Sequence, residues 1–500
     1  MSDTRILARA AAIGLALAVA AGAVHAKDQV IIDLVNEPAT LDPHLQWNPD
    51  SYWVYRNVFD NVVTRDNAGQ IVPQLATSWK RLSDTEIEFT FRSDVKFHDG
   101  TPLTMDDVVY SVKRITDPAF GSPQLGQFNK IIKAEATGAN TVKLTTDGAY
   151  PALLAQLVKL SIVPKHVVEK VGKDEFNVKP VGSGPYRLET WQRGVQVTLS
   201  RNDAYWGDKG AFKTALFRGV PDAATRVANL LAGTSDLVVT LNSDLAQQVE
   251  KSGRAKVLTV QTERVAYFAM NSFKAPLNDV RMRLAIAHAI DKEGIVEGIL
   301  MKYPRVVGEL VSPFHFGWAD GVDSIPYDVK KAKELVAQMG AAAKTPMELA
   351  TAPVYDQRVV QAIQQMLADI GLNVQIKMTD MATWLQGQQS AQDVAPMLTF
   401  SRWSCACQDA DGIMFPLLHS SSAWSRVKND KIDQLLAAAR SEPDEARRKG
   451  LYGDVHKLVR EEVPVIPLYA DAIIYGGAKQ LKWTPTPNES MFLNRMGWSE

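Results

Sequence analysis

The 500-residue chain carries 55 Lys and Arg against 56 Asp and Glu, with 46% hydrophobic and 22% charged residues. That balance excludes a nucleic-acid binder, which needs a basic face or domain, and a composition without low-complexity tracts excludes a fibrous or disordered chain. The length exceeds what a single hydrophobic core supports, so at least two lobes are expected.

At the N-terminus, Arg5 and Arg9 precede an uninterrupted apolar run from Ala10 to Val24, and Val24 and Ala26 occupy the −3 and −1 positions of a signal-peptidase site. The run falls short of the ~20 residues that span a bilayer, so residues 1–26 read as a cleaved signal peptide and the mature chain begins near Lys27. No Cys near the site offers a lipid anchor. Removing Asp3, Arg5 and Arg9 with this segment leaves 53 basic and 55 acidic residues, a net charge of about −2.

Gln29 to Val35 reads as a first strand, followed by a Pro-punctuated loop and helical spacing over Tyr52 to Val63. Ile87 to Arg92, Thr141 to Thr145 and Gly194 to Arg201 alternate apolar and polar residues, as antiparallel strands with one solvated face do. Val95 to Arg114, VKFHDGTPLTMDDVVYSVKR, is the most informative stretch. Gly100 stands where a turn needs positive φ, Pro102 keeps Thr101 extended, and Thr104 with Asp107 three residues on forms a capping box before Val108, Val109 and Val112. Asp222 and Gly233 bound a short helix. After Ala266 the rhythm changes. Helices at Val280 to Ala289, Val329 to Met339 and Gln357 to Ile370 alternate with strands at Met347 to Ala350, Asn373 to Met378 and Ala395 to Phe400, the pattern of an α/β lobe. No Gly/Ser-rich linker and no internal repeat divides the chain.

Val95 to Arg114 resembles the hallmark segment of the family 5 extracytoplasmic solute-binding proteins, the receptors of peptide- and nickel-type ABC importers. Gly69 to Trp79 (GQIVPQLATSW), VGSGPYRLETW with LSRNDAYWG within 181–207, Asn278 to Asp291, and Arg447 to Tyr469 with its VPVIPL run are similar to further family segments in the same order. The resemblance implies an α/β, two-lobe periplasmic-binding-protein fold of type II, of the large cluster with an extra subdomain, and a ligand cleft between the lobes. Lobe I would comprise 27–70, 180–265 and 479–500, the subdomain 71–179, and lobe II 266–478. It also implies a monomeric periplasmic receptor that closes on a small molecule and presents it to ABC transporter permease subunits, with no cofactor and no resident metal.

Enzyme motifs are missing: Gly182-Ser183-Gly184 lacks the spacing of a nucleophile elbow, and no nucleotide loop or zincin helix is present. His98 reads as part of the turn, His288 as a core residue, and His419 as a possible ligand contact. Cys405 and Cys407 form a Cys-x-Cys pair that would be a disulfide in an oxidising compartment, two free thiols, or a weak soft-metal pair.

In peptide-binding members of the family, an Asp takes the ligand's α-ammonium where this chain has Ala406, and an Arg takes the carboxylate where it has Pro353. The absence of both argues against a short free peptide as the preferred solute and favours a sugar, a modified amino acid or an opine-like conjugate, with an oligopeptide- or dipeptide-binding receptor of the same family as the alternative. Candidate ligand contacts are Glu37, Gln46, Trp47 and Asn48 from the first lobe, and Arg358, Trp384, Arg402, Trp403, Asp409 and Asp411 from the second. Of these, Asp409 lies where the family often has a structural Asp and Asp411 is positioned to cap the next helix, readings that outweigh ligand contact, whereas Trp47 and Trp384 suit core and cleft equally. A periplasmic hydrolase using Asp409 or Asp411, or an accessory protein with an apolar cleft, are readings from other classes.

Overall fold

A computed structural model describes residues 28–499 apart from 46, 47, 320 and 406. The expected signal peptide, Gln46, Trp47 and Ala406 therefore lie outside the described residues.

Two long strands, Ala255–Met270 and Val465–Ala478, pair antiparallel at the centre of an 11-stranded sheet. On one side lie Leu398–Trp403, Met347–Thr351 and Val374–Met378. On the other lie Leu237–Val238, Gln29–Leu34, Thr214–Gly219, Gln196–Arg201 and Tyr186–Gln192, and the short strand Arg305–Val306 pairs with Val465–Ala478 as the eleventh. The outer strands on the 347–403 side pair in parallel and are crossed over by helices, among them Gln357–Asp369, as parallel neighbours require. Each side has its own core. One is built on Val30, Ile32, Phe59 and Phe217, the other on Phe268, Leu349, Ile363 and Phe400.

A separate four-stranded antiparallel sheet, Ala76–Arg81, Glu86–Phe91, Thr141–Thr146 and Ile131–Gly138, carries the helix Met105–Thr116. Asp107 Oδ2 reaches back to accept from Thr104 N at 2.9 Å and Thr104 Oγ1 at 2.8 Å. Val108 and Val112 bury the helix against Phe89, Phe91 and Phe128. Gly100 has φ +89°, as the turn requires.

The turn also joins two of the recognised segments. His98 N donates to Gly182 O at 2.8 Å, Gly182 N donates to His98 Nδ1 at 3.3 Å, and His98 Nε2 lies 3.0 Å from Gly184 O. These contacts fix a neutral imidazole with its proton on Nε2, and burial pulls its pKa down to about 4. The glycines of this segment are needed for close approach: a Cβ on Gly182 would stand 2.0 Å from Val58 O.

Two sequence expectations shift. The helix expected over 52–63 is only Pro49–Tyr55, because the carbonyls of Asn57, Val58 and Asp60 leave the helical pattern to accept from Tyr186, Gly184 and Ile162. The strand expected from Ala395 begins at Leu398, since Lys274 Nζ takes the Ala395 carbonyl at 2.6 Å and Asn271 Nδ2 takes that of Gln392 at 2.8 Å.

Asp42 and Arg114 tie the first-lobe loop to the hallmark helix through a two-point ion pair at 3.0 and 2.5 Å, with side chains 0% and 5% exposed. Asp42→Ala strands a buried guanidinium, so it is expected to lower the free energy of unfolding by about 3–5 kcal/mol. Urea denaturation followed by tryptophan fluorescence checks this, and a loss under 1 kcal/mol would refute it.

Candidate functional site

Register between the two central strands breaks between Gln261, opposite Ala472, and Val265, opposite Ala470. Thr262, Glu263 and Arg264 thus form a bulge facing Asp471, a device that re-aims side chains and bends a strand. Arg264 binds Glu489 through two nitrogens at 3.0–3.2 Å, and Arg402 binds Asp471 at 2.7 Å. Glu263, 0% exposed, has no hydrogen-bond partner on either carboxylate oxygen.

Other buried groups lie within electrostatic reach of Glu263. Lys159 follows the helix Leu153–Leu157 of the small sheet's region, and its ammonium donates to Gln127 Oε1. Arg65 ends the strand Val63–Arg65 and donates to Gly69 O at 2.5 Å and to Cys407 O, while its Nε has no partner. Gln156 Oε1 and both amide atoms of Gln408 are likewise buried and unpartnered. Ala155 packs with Tyr267, Cys405 and Cys407 in one apolar cluster, which brings that helix, the first central strand and the 405–410 loop together.

Burial, reinforced by Glu489 and partly offset by Arg264 and Arg65, pushes the Glu263 carboxyl up to about 8. Burial, partly offset by Glu263, pulls the Lys159 ammonium down to about 7. Arg65 falls to about 10 for the same reason. Toward the surface lies a cavity of about 370 Å³ between Asn242 and Ser243 on one side and Tyr355, Arg358 and Arg402 on the other, with Asp471 on its floor strand.

The residues singled out in the sequence are distributed as follows. Arg402 and Arg358 line this cavity. Arg358 pairs with Asp356 at 2.7 Å and, across the opening, with Asp244 at 3.0 Å. Trp403 donates its indole N–H to Gly412 O at 2.8 Å and meets Trp424 edge to face at 5.1 Å. Asp409 is held by Arg448 at 2.6 and 2.8 Å. Asp411 opens the helix Asp411–Leu418 as its first residue, beside Arg440 at 3.1 Å; Ala410 is the cap residue, and burial raises the Asp411 carboxyl to about 6. Glu37 clamps the 192–196 turn, accepting from Trp191 Nε1 at 2.6 Å and Gly194 N at 3.1 Å. Asn48 caps the helix Pro49–Tyr55 through Ser51 N at 2.8 Å. Trp384 sits in the second core, 5.3 Å from Tyr355. His419 stacks on Phe415 at 4.3 Å, and Ser183 donates to Asp60 at 3.0 Å. Cys405 and Cys407 form a disulfide with Cα atoms 5.0 Å apart.

Sequence reasoning missed Glu263, Lys159, Arg65, Gln156 and Gln408. A signal existed for two of them. Lys159 is the only charge in PALLAQLVKLSIVP, and Glu263-Arg264 directly precedes the apolar run VAYFAM. A lone charge in an apolar run is costly unless it is paired.

The sequence profile of the bacterial extracellular solute-binding proteins, family 5, matches residues 70–425. The chain belongs to this family. As a family 5 solute-binding protein it is 27% identical over 488 residues to the glutathione-binding protein GsiB of Escherichia coli K12, covering 94% of both chains. Its fold matches MoaA of A. tumefaciens R10 in complex with mannopinic acid, with TM-score 0.80, 25% identity and coverage of 95% and 100%. It also matches the periplasmic binding protein DppA of Helicobacter pylori in complex with the peptide STSA, with TM-score 0.82, 24% identity and coverage of 94% and 98%. The two-lobe periplasmic-binding-protein fold and the role of solute receptor for an ABC importer follow from this membership. Among the described residues no cluster of three or more His, Cys, Asp or Glu could hold a metal, and no helix is long and apolar enough to cross a membrane.

The raised Glu263 carboxyl gives a pH-dependent prediction. Glu489, Arg264, Arg65, Lys159 and Tyr475 are the titratable groups in its field. A group raised from the ordinary 4.5 to about 8 favours the folded state below 4.5 and loses that contribution as pH rises through 8. Glu263→Gln should therefore raise the melting temperature of the ligand-free protein more at pH 8.5 than at pH 5. Scanning calorimetry at both pH values checks it, and an equal gain at the two would contradict the assignment.

Proposed function

We propose that this receptor captures a small, polar, charged organic solute between its lobes, beside Glu263, Lys159 and Arg65, and delivers it from the periplasm to the permease of an ABC importer. The carrying observation is the set of buried polar atoms without partners at the junction of the two halves of the sheet. Native interiors hydrogen-bond such groups, so a concentration of exceptions marks a place for an absent partner. Closure is a hinge bend of the strands Ala255–Met270 and Val465–Ala478 at the bulge.

The lobes are divided at these strands: 27–70 with 180–265 and 479–500 on one side, 266–478 on the other, and 71–179 as the subdomain that contributes Lys159. Separate cores on the two sides and around the small sheet support that division. The protein works as a monomer with a cleaved signal peptide and does no chemistry of its own. Asp409 and Asp411, the residues a hydrolase reading would need, are committed to Arg448 and Arg440. Arg402 and Arg358 guard the cavity toward the surface.

A peptide receptor is the second reading, favoured by the peptide bound to DppA and by the tripeptide named for GsiB. Against a short free peptide stands Pro353, where the family's carboxylate-binding Arg would be.

Native mass spectrometry of the protein from its own periplasm should show a co-purified small molecule. A tight ligand at a hundredfold excess over Kd should stabilise the protein by about 2.7 kcal/mol. A broad thermal-shift screen of sugars, peptides, opines and metal complexes with no response, together with turnover of any of them, would overturn the receptor reading.

A further inference from the structure

The cavity of about 370 Å³ is bordered by the starts of two helices that belong to different cores. Ser243–Ser252, capped by Asn242, buries Ala246 and Val249 with Val227, Leu230 and Val238 on the first-lobe side. Gln357–Asp369, capped by Asp356, buries Val359, Val360 and Ile363 with Leu349 and Phe400 on the second-lobe side. Asn242 and Ser243 line the cavity from one helix start, and Asp356 and Arg358 from the other. An ion pair runs between the two first turns, from Arg358 Nη1 to Asp244 Oδ2 at 3.0 Å, and joins residues 114 positions apart.

Both ends are set before they meet. Arg358 is held on its own helix by Asp356, which accepts from Nε at 3.0 Å and from Nη2 at 2.7 Å, and this leaves Nη1 for the opposite lobe. Asp244 stands in the first turn of its helix, where the free N–H groups favour a negative charge. Side chains positioned in advance lose less freedom when they pair. Ser243 Oγ, next to Asp244, donates to Ile299 O at 3.2 Å, so the same helix start also makes a neutral contact with the second lobe. Arg358 and Asp244 are 41% and 60% exposed, so salt screens their attraction while leaving the neutral contact alone.

Resting on the receptor reading and its division into lobes, we propose that Asp244 and Arg358 are positioning residues of closure: a latch over the mouth of the cavity, made as the lobes meet and broken as they part. The latch acts on the balance between closed and open forms and not through the solute. An exposed pair of this kind shifts that balance by about 1.5- to 5-fold. Ionic strength therefore sets how readily the receptor opens.

Pulsed electron paramagnetic resonance on the whole protein reads this balance without a ligand. Nitroxide labels go on Lys251→Cys and Ala368→Cys, exposed positions at the far ends of the two helices. Cys405 and Cys407 are bonded to each other and take no label. Two label separations are expected at about 20 mM salt, and at about 500 mM, where the Debye length is about 4 Å, the ratio of short to long should drop by about 1.5- to 5-fold. Asp244→Asn should give the lower ratio at both salt concentrations. Asp244→Lys, which sets a like charge against Arg358, should lower it further, and Asp244→Glu should restore both the ratio and its salt response. Melting curves of the variants control for the fold, and a loss confined to one lobe weighs equally on the open and closed forms. A ratio that ignores salt, a ratio that Asp244→Asn leaves unchanged, or a single separation in every variant would overturn the latch. None of these outcomes touches the receptor reading, which stands or falls on the co-purified solute.

Discussion

Closing two lobes over a cleft removes charges from water, and every such charge must then find a counter-charge. The structure depends on that constraint. Where the protein supplies both partners, as in Arg448 with Asp409 or Arg264 with Glu489, the cleft wall is rigid and needs nothing further. Where a buried charge has no ion pair, as at Glu263, Lys159 and Arg65, burial displaces its pKa toward the neutral form. A solute drives closure only by binding the closed form more tightly than the open one, which is the thermodynamic requirement for a ligand-driven change.

The bulge at Thr262–Arg264 couples this chemistry to the fold. A regular pairing of the two central strands would place alternate side chains on opposite faces of the sheet. The extra residues turn Glu263 and Arg264 into the junction together, while Glu263 N still finds Pro487 O at 3.2 Å. The 405–410 loop meets the site from the other half, its backbone pinned by the Cys405–Cys407 bond and its Cys407 carbonyl bound by Arg65.

Much of the scaffold was legible in the sequence because its signals are local. The Thr104–Asp107 cap, the Asp222 and Gly233 helix ends and the alternation in Ile87 to Arg92 each depend on residues a few positions apart. The helix expected over 52–63 was overestimated because carbonyls at 57–60 are claimed by residues more than a hundred positions away. The ligand site suffers from the same problem. Asp409 and Asp411 look available until Arg448 and Arg440 are seen folded against them, and Glu37 looks like a cleft residue until Trp191 and Gly194 are found around it. Conversely, Lys159 stands out in sequence only as a charge set in an apolar run and Glu263 only as one at the edge of such a run, and their burial is set by tertiary structure. Trp384, weighed as cleft or core, lies in the core.

The continuity of the central strands has a mechanical consequence. Ala255–Met270 and Val465–Ala478 are hydrogen-bonded to each other on both sides of the bulge, so the two halves of the sheet can neither slide nor peel apart without breaking a ladder. Bending across the bulge is the soft coordinate that remains. A body with one soft coordinate has few distinguishable outlines, and a membrane partner that touches both halves can register whether the cleft is filled without contacting the solute.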